Sequence, residues 1–319
     1  YELSGGTWTQ LGSDIDGEAA GDQSGRSVSL SSDGTRVAIG AILNDGTSSN
    51  AGHVRIYELS GGTWSQLGSD IDGEAENDQS GRSVSLSSDG TRVAIGAFLN
   101  DDTGSNAGHV RIYELSGGTW SQLGSDIDGE AENDQSGLSV SLSSDGTRVA
   151  IGAYLNDGTS SNSGHVRIYE LSGGTWTQLG SDIDGEAADD NSGWSVSLSS
   201  DGTRVAIGAL YNDGTGSNAG HVRLYSIVFQ APAPAPAPAP YSGPLPTNYS
   251  DRTPSIGDEV VVSGKRLNLV TSCTIDGVTA VMSNQSADSF TIVIPEGITS
   301  GLKDLVMTGP AGKLTAQEL

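Results

Sequence analysis

The sequence predicts an all-β repeat protein, on three observations: a strict 56-residue internal period, strand-like alternation inside every period, and turn chemistry between the strands. Tyr1, Tyr57, Tyr113, Tyr169 and Tyr225 open the same phrase, and one unit, Tyr57–Ile112, reads YELSGGTWSQLGSDIDGEAENDQSGRSVSLSSDGTRVAIGAFLNDDTGSNAGHVRI. Gly supplies 46 of the 319 residues and aromatics only 5%, which suits short strands joined by tight turns rather than helices.

Within the second unit, strands are predicted at Ser83–Ser87, Arg92–Ala97, His109–Leu115 and Thr119–Leu123. Asp89-Gly90 and Gly117-Gly118 provide the hairpin turns. Alternation puts Val84 with Leu86, Val93 with Ile95, and Val110 with Ile112 on common faces. A four-stranded antiparallel sheet of this length is the size of one propeller blade, so residues 1–229 read as a repeat β-propeller of four four-stranded blades. The fourth blade has Ser195–Ser199, Arg204–Ala209 and His221–Ile227 but lacks its last strand, while Thr7–Leu11 supplies a spare one at the N-terminus. The expectation is that the chain ends pair and close the ring; the alternative is a longer array with further blades upstream.

The phrase SGRSVSLSSDGTRVAIGA at Ser24–Ala41, repeated from Ser80, Ser136 and Ser192, resembles the FG-GAP repeat of integrin α-like propellers. Ser24-Gly25 stands at that family's Phe-Gly and Gly40-Ala41 at its Gly-Ala. The resemblance implies a propeller, although the family's usual ring has seven blades. Its calcium loop is reduced here to S-L-S-S-D-G-T-R, so Asp33, Asp89, Asp145 and Asp201 read as members of plain turns.

Residues 230–248 form a Pro/Ala-rich linker. Strict Ala-Pro alternation over Ala231–Pro240 predicts a stiff polyproline II rod of roughly 31 Å. Residues 249–319 then change character, with strands predicted at Glu259–Ser263, Cys273–Ile275, Ala280–Met282, Phe290–Ile294 and Leu302–Thr308, a small β-sandwich. Ser255–Gly264, Ile275-Asp276-Gly277-Val278, Ile292-Val293-Ile294-Pro295 and Gly309-Pro310-Ala311-Gly312 resemble the phrases of the IPT/TIG immunoglobulin-like family.

Forty acidic against fifteen basic residues give a net charge of −25. Residues 1–228 carry 32 acids, ten Arg and no Lys. Such a field repels nucleic acid and anionic membrane, and no apolar run is long enough for a membrane-spanning helix. The lone Cys273 excludes an internal disulfide framework and reads as a core thiol.

Enzyme motifs are missing: there is no nucleophile elbow, phosphate loop or HExxH. Any blade carboxylate or histidine recurs four times in one setting, whereas catalysis needs unlike groups converging on one point. The expectation is therefore a non-catalytic protein.

The candidate metal ligands lie in the acidic phrase S-D-I-D-G-E, where alternating oxygens around a Gly turn suit Ca²⁺. They are Asp14, Asp16 and Glu18; Asp70, Asp72 and Glu74; Asp126, Asp128 and Glu130; and Asp182, Asp184 and Glu186, each set followed after three residues by a further carboxylate, Asp22, Asp78, Asp134 or Asp190. A solvated acidic rim is the alternative reading. His53, His109, His165 and His221 each open a strand and read as structural hydrogen-bonding groups, and Trp8, Trp64, Trp120 and Trp176 as blade packing. The candidate recognition surface is where near-identical units disagree: Arg26, Arg82, Leu138 and Trp194 at one position, Ile42, Phe98, Tyr154 and Leu210 at another. Drift at unconstrained positions is the competing explanation.

Together these features predict an extracellular adhesion or recognition protein on a cell surface or virion, its propeller held off a larger assembly by the stalk. The expected partner is a protein or glycan, or a neighbouring subunit. The alternative is a structural spacer, lattice or virion decoration subunit with no specific ligand.

Overall fold

Tight turns set the blade strands. Asp33 Oδ1 accepts hydrogen bonds from Ser31 Oγ (2.7 Å), Thr35 N (2.9 Å) and Thr35 Oγ1 (2.9 Å), and Asp89, Asp145 and Asp201 repeat the arrangement. Each such turn reverses the chain between the first two strands of a blade. The computed structural model describes residues 1–227, 248–249, 257, 259–263, 270–275, 278–286, 289–296, 305–309 and 312–316. Residues 230–247 of the Pro/Ala-rich linker lie outside the described residues. The chain divides into two compact units, Tyr1–Val228 and Phe229–Leu319.

The first unit opens with a hairpin of β1 (Glu2–Ser4) and β2 (Thr7–Thr9). The first blade follows as β3 (Ser24–Leu30), β4 (Arg36–Ala41), β5 (His53–Ser60) and β6 (Thr63–Gln66), hydrogen-bonded in that order, with β7 (Ile71–Asp72) pairing the start of β5. The second repeats this as β8 (Ser83–Leu86), β9 (Arg92–Ala97), β10 (His109–Ser116), β11 (Thr119–Gln122) and β12 (Ile127–Asp128). The third comprises β13 (Ser139–Leu142), β14 (Arg148–Ala153), β15 (His165–Ser172), β16 (Thr175–Gln178) and β17 (Ile183–Asp184). The fourth has three strands, β18 (Ser192–Leu198), β19 (Arg204–Ala209) and β20 (His221–Ser226). All of these pairings are antiparallel. The two-residue strands β7, β12 and β17 are additions to the predicted set.

The cores lie between blades. Ala38, Val54 and Ile56 of the first blade meet Val84, Leu86, Val93 and Ile95 of the second. Ala94, Val110 and Ile112 meet Leu142, Val149 and Ile151 in the next junction, and Ala150, Val166 and Ile168 meet Val205 and Ile207 in the third. Strand β9 thus serves two cores at once, with Val93 and Ile95 on one face and Ala94 on the other. The small face admits the large one, which brings adjacent sheets close.

Closest approach falls at two glycines. A Cβ on Gly40 would collide with the carbonyl oxygen of Gly81, and one on Gly96 with that of Gly137. Gly81 also has φ +88°, a conformation that side chains resist. The Ser-Gly of one repeat therefore rests on the Gly-Ala of the repeat before it, and neither position has room for a side chain.

The chain ends do not close a ring. Strand β2 pairs with β1, and among the described residues β20 has no partner on its outer edge. The physical reason is that the N-terminal segment is already committed to the first blade. Trp64 Nε1 donates to Leu11 O (2.9 Å) and Arg55 Nη2 to Asp16 O (2.7 Å). The same two bonds join later repeats, from Trp120 to Leu67 O and from Arg111 to Asp72 O. The blades form an open stack with an apolar face at each end: Val28 is 65% exposed and Leu224 75%, while Val110 in a junction is 0% exposed.

The second unit is a ladder of β21 (Asn248–Tyr249), β22 (Glu259–Ser263), β25 (Ser289–Val293), β24 (Val278–Ser283), β23 (Ser272–Ile275), β26 (Leu305–Gly309) and β27 (Gly312–Ala316), in that spatial order. Strand β24 is shared, pairing β23 through Val278–Ala280 and β25 through Val281–Ser283. Val260, Val262, Cys273, Ile275, Phe290, Ile292 and Met307 form its core. Burial pushes the Cys273 thiol up to about 12, so it packs as an inert apolar group.

Candidate functional site

The acidic phrase is the connection between blades, and the structure divides its carboxylates between two junctions. Asp70 lies beside Glu18 and His53 of the preceding repeat, while Glu74 lies beside Asp102, His109 and Asp126. Glu130, His165 and Asp182 form the third such group. Strand β7 separates Asp70 from Glu74, and Asp72 within it accepts the Arg111 guanidinium through its backbone carbonyl. The three acids of one phrase, expected to wrap a single calcium ion, are thus not gathered around one point. The Asp22 carboxylate that follows is buried and accepts from Asn44 Nδ2 (3.0 Å) and Ala19 N (3.1 Å), so it braces the loop. Asp78, Asp134 and Asp190 do the same in their repeats.

Each cluster is oriented by further partners. Arg55 Nη1 lies 3.4 Å from Glu18 Oε1 and Arg111 Nη1 lies 3.2 Å from Glu74 Oε1. Gln66 Nε2 donates to Asp70 Oδ1 (2.6 Å), and Gln122 Nε2 and Gln178 Nε2 donate likewise to Asp126 and Asp182. At Nδ1, three of the four histidines lack the hydrogen bond expected of them. His53, His109 and His165 are buried, and their Nδ1 atoms have no hydrogen-bond partner. Burial, reinforced by Arg167, lowers His165 to about 4, which keeps the imidazole neutral near pH 7.

The tryptophans grade with position in the stack. Trp120 and Trp176 are buried in the second and third blades, Trp64 is half-buried, and Trp8 in the N-terminal hairpin is exposed. Arg36, Arg92 and Arg148 pair with Glu58, Glu114 and Glu170 at 2.7–2.8 Å.

The positions where the repeats disagree do come together. The Arg82 guanidinium lies over the Phe98 ring, 5.7 Å from its centroid. The Tyr154 and Trp194 rings meet edge to face at 5.0 Å and 87°. Tyr154 Oη donates to Gln135 Oε1 (2.8 Å), and Asn191 Nδ2 donates to Tyr154 O (3.0 Å), which fixes the ring. Burial, and the charge of nearby Arg26, hold the Arg82 guanidinium below its ordinary value. Trp194 and Leu210 line an open cleft with His221 and Val222. Ile42 and Leu138 are buried and serve as packing rather than contact surface. Tyr211, adjacent to Leu210, is exposed as well.

This assembly of blades is that of a repeat β-propeller. The chain belongs to the FG-GAP repeat family, which matches residues 14–57, 70–113, 126–169 and 182–225, just over half its length. No curated protein sequence matches it. Among solved structures it is similar to a protein described as a 6-phosphogluconolactonase from Bacteroides uniformis, at 12% identity and a TM-score of 0.42, covering 92% of this chain and 83% of that one. It is also similar to the periplasmic gluconolactonase of Pseudomonas aeruginosa, at 12% identity and a TM-score of 0.39, covering 92% and 84%. Hydrazine synthase of Kuenenia stuttgartiensis has 10% identity and a TM-score of 0.40, covering 96% and 69%.

Proposed function

We propose that the chain is a non-catalytic recognition protein displayed outside the cell, on a cell envelope or virion, and that its FG-GAP propeller unit carries the contact surface. The carrying observation is the row Arg82, Phe98, Tyr154 and Trp194. These residues differ from repeat to repeat on an otherwise repeated scaffold, yet stack through a cation–π contact and an edge-to-face ring pair. Trp194 is exposed and Arg82, Phe98 and Tyr154 are half-buried; aromatics and arginine held by their neighbours at a partly open surface suit protein or glycan contacts. Most other polar positions recur in all four repeats, which supports a role without chemistry. The Pro/Ala-rich linker would act as a stalk, and residues 249–319 as an IPT/TIG-like base docking to the larger assembly.

The test is binding of the full chain to glycan and protein arrays, repeated with Trp194→Ser and Arg82→Ser. Specific capture lost in both variants supports the reading. No capture by the wild type leaves a structural spacer or decoration subunit as the function, and turnover of a substrate would remove the non-catalytic assignment.

A further inference from the structure

His109 poses a problem of its own. Its ring is 1% exposed, and neither nitrogen has a hydrogen-bond partner. A buried polar group left unpaired costs about 1–3 kcal/mol, so it calls for a physical reason. Nδ1 points at carboxylates without bonding them: Asp102 Oδ2 is 3.8 Å away and Glu74 Oε2 3.9 Å. Asp126 completes the group, and the four donor atoms all lie within 4.8 Å of one another. Those separations are too long for hydrogen bonds. They are close to the spacing of ligands around one ion, about 3.4 Å for tetrahedral bonds of about 2.1 Å.

The charges agree with this geometry. Three carboxylates surround the ring and Arg111 opposes one of them, which leaves two negative charges uncompensated. Arg111 holds Glu74 by Oε1, so its Oε2 faces the ring, and Gln122 donates to Asp126 Oδ1.

We propose that Glu74, Asp102, His109 and Asp126 bind one divalent first-row transition ion of the zinc class, joining the second repeat to the third. The imidazole argues against calcium or magnesium, which take oxygen donors alone. Asp102 makes the site singular. Its counterparts are Gly46, Gly158 and Gly214, so the equivalent groups around His53 and His165 have three donors instead of four.

The difference between repeats supplies the test. Chelator-treated full chain is titrated calorimetrically with zinc chloride, and metal per chain is measured after gel filtration. One tight zinc per chain is expected, with a raised melting temperature. Asp102→Gly should weaken binding by at least about tenfold. It should leave the metal-free melt unchanged, because three repeats already carry Gly there. Gly158→Asp should build a second site with Glu130, His165 and Asp182 and bring the count to two. The proposal is overturned if the wild type binds no zinc, if Asp102→Gly binds as tightly as wild type, or if calcium displaces zinc at equal concentration. No recognition ligand is present in any arm, so failure here is separate from failure of the recognition reading.

Discussion

Val110 and Val222 occupy the same position in two repeats, but the first is 0% exposed in a junction and the second 63% exposed on the end of the stack. Truncating both to Ala is a controlled test of the open arrangement, because the chemistry of the change is identical. Val110→Ala removes two buried carbons, worth about 0.8 kcal/mol each, and leaves a cavity beside Ile112 and Val149, for a loss of about 2 kcal/mol. Val222→Ala removes the same atoms from a largely wetted site and should cost about 0.5 kcal/mol. All five tryptophans lie in the first unit, so urea unfolding followed by their fluorescence reads this unit alone. With a slope of about 2 kcal/mol/M, the midpoint falls by about 1 M for Val110→Ala and by about 0.25 M for Val222→Ala. Equal losses would mean that the outer face of β20 is covered in solution, and the open-stack argument would fail.

Two further outcomes follow from the same geometry. Gly96→Ala drives a methyl group into the Gly137 carbonyl of the next repeat and should cost about 3 kcal/mol, whereas Gly216→Ala, with open space around it, should stay within about 0.5 kcal/mol by the same urea assay. Asp33 and Asp201 are held at about 2, below the ordinary 3.8, by the backbone N–H of their Thr neighbours and by Ser and Thr hydroxyls. A folded-state value below the unfolded one gives stability that is complete above pH 3.8 and lost as pH falls toward 2. Melts at about pH 5 and about pH 2.5 should therefore converge in an Asp33→Asn, Asp201→Asn double variant relative to wild type; an unchanged pH slope would contradict the turn assignment.

The blade strands were legible because period-2 alternation and Asp-Gly turns act over a few residues. Val84, Leu86, Val93 and Ile95 face one core as their spacing implies. Strands β7, β12 and β17 were not legible, since two residues carry no alternation and their pairing with β5, β10 and β15 is decided by the inter-blade connection. Ring closure was misjudged for a related reason. The spare strand at the N-terminus has two available neighbours, and only the Trp64 and Arg55 bonds decide between them. The histidine clusters escaped notice because Glu74, His109 and Asp126 are distant in sequence and meet across a junction. One signal was nevertheless present: Asp102 against Gly46, Gly158 and Gly214 is the same kind of disagreement between repeats that picked out Arg82 and Trp194.

That shared signal has a physical basis. A residue of an inner strand such as β9 belongs to two cores, so a change there must be accepted by two neighbouring blades, and Gly96 has no room for change. Position 102 and the Arg82–Trp194 row lie outside the inter-blade cores, so substitutions there leave the stack intact. Near-identity at the junctions therefore needs no explanation beyond packing, and the informative residues are those that differ while still making defined contacts. Arg82, Phe98, Tyr154 and Trp194 meet this condition through their ring contacts, and Asp102 meets it through His109. Other differences, such as Glu76 and Glu132 against Ala20 and Ala188, belong to neither group and read as surface drift.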